Sequence, residues 1–370
     1  MNKGVRVIIS GGGTGGHIYP AIAIARQIQA VYPQAELLFV GAEGRMEMEK
    51  VPAEGYPIIG LPVAGLQRKA WLKNLGLPLK IVKSLKKAGK ILKEFRPDVA
   101  IGVGGYASGP LLWMAARQQI PCLIQEQNSY AGMTNKLLAK KANIICTAYP
   151  DMERFFPKEK IRLTGNPVRS HIAAADPQLR LEGRRFFGIA PDRTCILVTG
   201  GSLGARTFNR CIQEYRKKTG TTSPVDIIWQ CGGYYRQECQ NFVQEYRAEW
   251  LQLHPFIQRI DLALAAADVV ISRAGAGTIA ELCMAGKAVV FVPSPNVSED
   301  HQTHNAMALV QQGAALMIPE EEASAQLMPA ALALSGNGEK RDLLARNILQ
   351  LARPDAAKDI VIQMTHLINT

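Results

Sequence analysis

Near the start of the chain a histidine follows a run of glycines, in the stretch SGGGTGGHIYPA from Ser10 to Ala21. Glycine loops of this kind usually hold phosphate, but a nucleoside-triphosphate loop needs lysine and then Ser/Thr where His17 and Ile18 stand. Gly11, Gly13 and Gly16 formally satisfy the dinucleotide pattern G-x-G-x-x-G. That pattern needs an acid closing the second strand, about 20 residues on, to bind a ribose. Here Glu36 begins the strand and Gly41 follows its end. What remains is a backbone loop presenting N–H groups, opening a helix with Pro20 in its first turn. His17 is then a titratable group at the loop's mouth, suited to general acid or base work. The competing reading is a histidine that caps or packs locally.

Three further glycine turns follow strand-like runs. GVGGYASGP, Gly102 to Pro110, has small residues that let something bulky approach the backbone. GGSLGAR offers Ser202 and its neighbouring amides at a helix start, a seat for phosphate. SRAGAGTIAEL, Ser272 to Leu282, sets Arg273 and the Gly275–Thr278 backbone before a helix whose dipole favours an anion. Glu281 lies three residues after Thr278, the spacing of a capping box. Its carboxylate either caps that helix or takes the two hydroxyls of a ribose.

Other chemistries lack their residues. No D-x-D occurs, so a metal-bridged diphosphate is not supported, and no G-x-S-x-G nucleophile signature appears. His301 and His304 have no evident third metal ligand. Seven cysteines without a C-x-x-C pair read as reduced thiols of a cytoplasmic protein. The opening apolar run is too short for a signal peptide, and no run approaches the roughly 20 residues of a membrane span.

The elements that must carry these turns alternate along all 370 residues. In the first half strands fit 5–10, 36–40, 99–103, 121–125 and 143–147, with helices over 20–30, 72–94, 109–117 and 133–141. The second half restarts at TCILVTGGSLGARTFNR with a strand, a glycine turn and a helix, and continues with strands near 226–230, 269–272 and 288–292. Strand–helix alternation predicts parallel sheets covered on both faces, and two restarts predict two doubly wound α/β domains. Ligands of such domains bind beyond the carboxyl ends of the strands. The expected division is 1–163 and 164–350, with a joint at RLTGNPVRS and a final helix, 351–370, that either stays or crosses back to the first domain.

Charge separates the halves. The net charge is +12, and residues 1–165 hold 23 Lys/Arg against 11 Asp/Glu while the remainder is balanced at 20 against 20. Between Glu54 and Glu94 there is no acid, and Arg68, Lys69, Lys73, Lys80, Lys83, Lys86, Lys87, Lys90 and Lys93 alternate with Trp71, Leu79, Ile81, Val82 and other apolar residues. A basic helix with an apolar side suits an anionic membrane surface, and a solvated lysine face on a core-packed helix is the plain alternative. Nucleic acid is not expected, because no reading motif accompanies the charge.

Taken together, GGTGGHIYPA, GVGGYASGP, QEQNSYAGMTNK, LTGNPVR, GGSLGAR, SRAGAGTIAEL and EDHQTHNA closely resemble the MurG family, in the family's order from residue 12 to residue 306. The resemblance implies the GT-B architecture, two Rossmann-like domains facing a cleft. It implies transfer of N-acetylglucosamine from UDP-N-acetylglucosamine to the C4 hydroxyl of the muramoyl sugar of lipid I, an undecaprenyl-diphosphate acceptor, giving lipid II for peptidoglycan. No cofactor and no metal are implied, and the place implied is peripheral, on the cytoplasmic face of the bacterial plasma membrane. The donor would lie mainly on the second domain. Glu281 would hold its ribose, with Ala276, Gly277, Thr278, Ile279 and Ala280 around it, and Ile260 would lie against the uracil. Ser202, Arg169 and Gln302 would line the diphosphate and sugar, and Thr14, Gly15, Gly16 and Asn128 would reach the donor from the first domain. The lipid's diphosphate would meet the first domain's glycine loops, Gly104, Gly105 and Tyr106 included. Many relatives have His-Glu-Gln-Asn where this chain has QEQN, so Gln125 cannot act as acid or base. An α-linked donor and a β-linked product mean inversion through an oxocarbenium-like transition state, with a base on the acceptor side. His17 and Glu126 both remain open for that role. Another UDP-sugar enzyme, a UDP-N-acetylglucosamine 2-epimerase or a diacylglycerol glycosyltransferase, is the rival; an epimerase needs no lipid and no acidless basic stretch.

Overall fold

The computed structural model describes residues 4–63, 77–168, 172 and 176–369. The chain forms two compact units, Met1–Val168 with Arg353–Thr370, and Arg169–Ala352.

The first unit is built on seven parallel strands: β1 (Arg6–Ser10), β2 (Glu36–Ala42), β3 (Ile58–Leu61), β4 (Val99–Gly102), β5 (Cys122–Glu126), β6 (Ile144–Thr147) and β7 (Ile161–Leu163). Their order is β3-β2-β1-β4-β5-β6-β7. The central strands are near-continuous apolar runs because both sheet faces are covered. Alternation sorts their side chains. Val7 and Ile9 join Val99, Ile101 and residues of α1 (Gly15–Val31), while Ile8 joins Ala100, Ile124 and residues of α3 (Leu77–Phe95) and α4 (Ser108–Arg117) on the other face. Each fully buried aliphatic side chain contributes about 1.5–3 kcal/mol. The first face is completed by α14 (Ala356–Asn369), whose Ile360, Val361 and Met364 are buried there. Tyr32 Oη and Thr365 Oγ1, 2.8 Å apart, join the far end of α1 to it. Two shorter helices, α2 (Glu47–Ala53) and α5 (Met133–Leu138), stand beside the loops discussed below.

The second unit repeats the plan with six parallel strands: β8 (Thr194–Thr199), β9 (Val225–Gln230), β10 (Leu251–His254), β11 (Val269–Ser272), β12 (Ala288–Phe291) and β13 (Leu316–Met317), ordered β10-β9-β8-β11-β12-β13. Its helices are α6 (Pro177–Phe186), α7 (Arg206–Thr219), α8 (Arg236–Glu245), α9 (Ile260–Ala266), α10 (Ala276–Ala285), α11 (His301–Val310), α12 (Ala323–Gly336) and α13 (Gly338–Gln350). Trp229 is fully buried, and its indole N–H donates to Asn209 Oδ1 at 2.9 Å, so the largest core side chain is also satisfied.

Both sheets reverse direction beside their first strand, between β1 and β4 and between β8 and β11. Such switch points leave a crevice at the carboxyl ends of the two strands. The four glycine turns are the loops that follow β1, β4, β8 and β11.

Two local expectations need correction. The first helix begins at Gly15, with Thr14 as its N-cap, so Pro20 lies in its second turn rather than its first. The Thr14 carbonyl accepts from His17 N at 3.1 Å and Ile18 N at 3.2 Å, which starts the helix ahead of the proline. His17 therefore projects from the first helical turn. In α10 the N-cap is Gly275, so Glu281 is a second-turn residue and not the reciprocal partner of a Thr278 cap.

Candidate active site

In the first unit, the loops after β1 and β4 are in contact. A Cβ at Gly104, whose φ is +93°, would lie 2.7 Å from His17 Cδ2 and 2.8 Å from Nε2. A Cβ at Gly105, φ +87°, would collide with the Gly12 carbonyl oxygen. Glycine is required at both positions by backbone conformation and by close approach. His17 Nδ1 stands 3.0 Å from Gly12 O, with Thr14 Oγ1 at 3.4 Å. A carbonyl only accepts, so this bond places hydrogen on Nδ1 and leaves the Nε2 lone pair on the Gly104 side. Thr14 and Gly16 are exposed, as is Tyr106 at 49%.

Glu126 is differently placed. It is 1% exposed, and its carboxylate accepts from Asn128 N (3.0 Å), Asn128 Nδ2 (3.3 Å), Gly132 N (3.0 Å) and Asn135 Nδ2 (2.8 Å). Four donors hold it as the hub of the loop between β5 and α5. Gln125 is buried beside it, donating to Asn166 Oδ1 at 2.9 Å and accepting from Gln127 Nε2. Asn166 in turn donates to Gln127 O at 2.9 Å. This network ties the end of β5 to the LTGNP segment.

One residue that sequence reasoning missed is Glu47, the first of α2. It is 0% exposed; Oε2 accepts from Gly13 N at 2.9 Å and Oε1 from Ala42 N at 2.9 Å. A Cβ at Gly12 would strike this carboxylate, and one at Gly41 would lie 2.6 Å from Glu47 Cγ. The only sequence signal was an acid a few residues after the second strand, too generic to single out.

In the second unit, Ser202 is exposed in the loop after β8, four residues before α7 begins, so it does not sit at a helix start. That loop is braced by Gln230, whose Nε2 donates to Gly201 O at 2.8 Å. Ala276, Gly277, Thr278, Ile279 and Ala280 form the first turns of α10, with Glu281 after them, partly exposed. Ile260 opens α9. Gln302, the second residue of α11, accepts from Ser294 N at 2.8 Å through its amide oxygen. Glu299 and Asp300, just before that helix, have φ of 56° and 50°, left-handed values that cost a non-glycine residue about 1–3 kcal/mol. Arg169 lies outside the described residues.

Arg273 is committed to structure. It donates to Val292 O (3.0 Å), Pro293 O (3.1 Å) and both carboxylate oxygens of Glu320, and it stacks over Phe208 at 4.7 Å. Burial raises the Glu320 pKa, but the bonds from Arg273 and Thr207 outweigh it and hold the carboxyl below its ordinary value. Among the described residues no three His, Cys, Asp or Glu gather as a metal site would require.

Comparison with known proteins follows the same division. Residues 7–147 match the glycosyltransferase family 28 N-terminal domain, and residues 195–360 its C-terminal domain. A relative from Parabacteroides distasonis, named UDP-N-acetylglucosamine--N-acetylmuramyl-(pentapeptide) pyrophosphoryl-undecaprenol N-acetylglucosamine transferase, is 54% identical over 98% of both chains. One from Bacteroides fragilis with the same name is 53% identical over 98% of this chain and 96% of its own. The chain belongs to the MurG family. The crystal structure of Acinetobacter baumannii MurG is similar at a TM-score of 0.78 and 30% identity, covering 98% of this chain and 99% of that one. As a member of the MurG family the chain is an N-acetylglucosaminyltransferase with two Rossmann-like domains, and none of these relatives supports the epimerase or the diacylglycerol transferase.

Proposed function

We propose that His17 is the general base of an inverting transfer in which the second unit holds UDP-N-acetylglucosamine and the first holds lipid I. The observation that carries the assignment is the His17 tautomer set by Gly12 O, which puts hydrogen on Nδ1 and makes Nε2 the basic nitrogen. In the reaction His17 Nε2 takes the proton of the muramoyl C4 hydroxyl as that oxygen bonds to the anomeric carbon. The bond from that carbon to the UDP oxygen breaks, and its electron pair leaves on the diphosphate. Glu126, closed by its own loop, holds Asn128 in place and takes no proton.

On the donor side Glu281 takes the ribose hydroxyls, which the capping role no longer competes for. The diphosphate is met by Ser202, Gln302, Arg169 and the amides at the start of α10, where the dipole favours negative charge. Ile260 packs on the uracil. Thr14, Gly15, Gly16 and Asn128 serve the sugar, and Gly104, Gly105 and Tyr106 the acceptor's diphosphate.

The lipid carrier suits the outer face of the first unit. Leu79, Ile81 and Val82 are 46–69% exposed on α3, among exposed Lys80, Lys83 and Lys86. Trp113 of α4 and Leu137 of α5 add exposed apolar area, and Lys141 lies 4.0 Å over the Trp113 ring. We read this as the surface that docks on anionic lipid at the cytoplasmic face of the plasma membrane.

The test is transfer of labelled N-acetylglucosamine to a lipid I analogue in chelator. Wild type should make lipid-linked disaccharide. His17→Ala should lose about 10²–10⁴-fold in kcat while still binding UDP. Full turnover by His17→Ala would remove it as the base.

A further inference from the structure

The Gly12 carbonyl and the Gly13 N–H belong to one peptide unit. Its oxygen accepts from His17 Nδ1 at 3.0 Å, and its N–H donates to Glu47 Oε2 at 2.9 Å. The array runs Glu47 carboxylate, peptide, imidazole, with one hydrogen bond at each end of the peptide. We infer that Glu47 is a positioning residue for the reaction, orienting and polarising His17 through the Gly12–Gly13 peptide; this rests on His17 being the base.

Several features make the array more than a loop brace. The carboxylate is wholly buried, and its second oxygen is pinned by Ala42 N at the end of β2, so its position is set by the sheet. Gly12 is held between Glu47 on one side and Gly105 on the other, where a Cβ at either glycine would collide. The peptide plane therefore has little room to turn. A carboxylate accepting from a peptide N–H draws negative charge onto that peptide's oxygen, and chains of hydrogen bonds strengthen one another in this way. The oxygen then accepts more strongly from Nδ1–H, which fixes the tautomer and favours a proton arriving at Nε2. In the serine-protease triad a buried carboxylate does this by direct contact with the imidazole. Here one peptide lies between them.

Other titratable groups on the surrounding segments do not supply that effect. Glu126 is closed by four donors, Tyr106 is half exposed, and Tyr19 lies against Gly15. Around α2, Glu43 pairs with Lys87, while Arg45, Glu49 and Lys50 are exposed. Helix α14, which packs along α1, carries Lys358, Asp359 and His366.

The experiment measures kcat and KM against pH for the full chain, as wild type, Glu47→Gln, Glu47→Asp and His17→Ala. Glu47→Gln should lower kcat roughly tenfold or more, leave the KM for UDP-N-acetylglucosamine unchanged, and move the acid limb of the kcat profile to lower pH. The limb moves that way because removing the negative charge makes the imidazolium less favourable. Glu47→Asp should recover part of the loss. An unmoved limb in a folded Glu47→Gln enzyme would overturn the relay while leaving His17 as base. Activity in His17→Ala would overturn the base itself. Should the Glu47 variants fail to fold, ¹⁵N spectra of wild-type His17 decide: a neutral ring with hydrogen on Nδ1 supports the array, and hydrogen on Nε2 overturns it.

Discussion

His17 and Glu281 show how a single residue's place in a helix changes its chemistry. His17 occupies the first turn of α1, where the Gly12 carbonyl can reach its ring, and not the loop ahead of it. Glu281 stands in the second turn of α10, beyond the reach of an N-cap. If it binds a ribose, Glu281→Ala should weaken UDP-N-acetylglucosamine binding by about 2 kcal/mol, roughly 30-fold, the scale of a charge-assisted hydrogen bond. The same variant should change the melting temperature little. Calorimetric titration beside a thermal melt checks both, and a large loss of stability at normal affinity would return Glu281 to a structural role.

At the scale of elements, α3 decides what the basic stretch does. Its buried side is Ser84, Ala88, Ile91 and Leu92, so the helix does pack on the core. Its exposed side is not only lysine, since Leu79, Ile81 and Val82 also face outward near its start. Lys87 is compensated by Glu43 at 2.8 Å and Lys90 by Glu94 at 3.6 Å, which leaves Lys80, Lys83, Lys86 and Lys93; the first three, nearest the exposed apolar residues, are the charges to test. Arg68, Lys69, Trp71 and Lys73 of the same stretch lie outside the described residues. Each lysine near an anionic surface is worth about 1 kcal/mol, so neutralising one should weaken vesicle binding about fivefold. Reversing all three to glutamate should abolish sedimentation with phosphatidylserine vesicles; undiminished sedimentation would assign the docking elsewhere. Among the described residues no helix is long and apolar enough to cross a membrane.

At the scale of the whole molecule, the second unit carries a pH dependence away from its glycine turns. Lys287, just before β12, donates to Ala265 O (3.2 Å) and Ala267 O (2.9 Å). Burial, with Arg180 adding repulsion, pushes its ammonium down to about 8. An unfolded lysine titrates near 10.4, so between about pH 8 and 10.4 the unfolded chain binds the extra proton. Stability should therefore rise with pH across that window, by up to about 3 kcal/mol, with the full penalty present below pH 8. Urea melts from pH 7 to 10 should show the rise in wild type and lose it in Lys287→Met. A wild-type profile that stays flat would mean the ammonium is solvated in the native state.

The amino-acid sequence by itself determined the central strands, the four glycine turns and their pairing with helices. Strands β1, β4, β8 and β11 are buried on both faces and read as apolar runs without help from any neighbour. It also determined the family, because several motifs in fixed order are far more specific than any one loop. Tertiary structure alone decided the sheet edges. Strands β3, β7, β10 and β13, absent from the sequence reading, are the four outermost strands of the two sheets. Each has a neighbour on one side only and needs less apolar sequence, so pairing defines it. Long-range contact alone settled the final helix, buried against α1, and the partner of Arg273, which is Glu320. It also revealed Glu47, whose carboxylate meets an amide 34 positions away. Local pattern records which face of an element is apolar; it does not record which distant backbone group a buried charge will find.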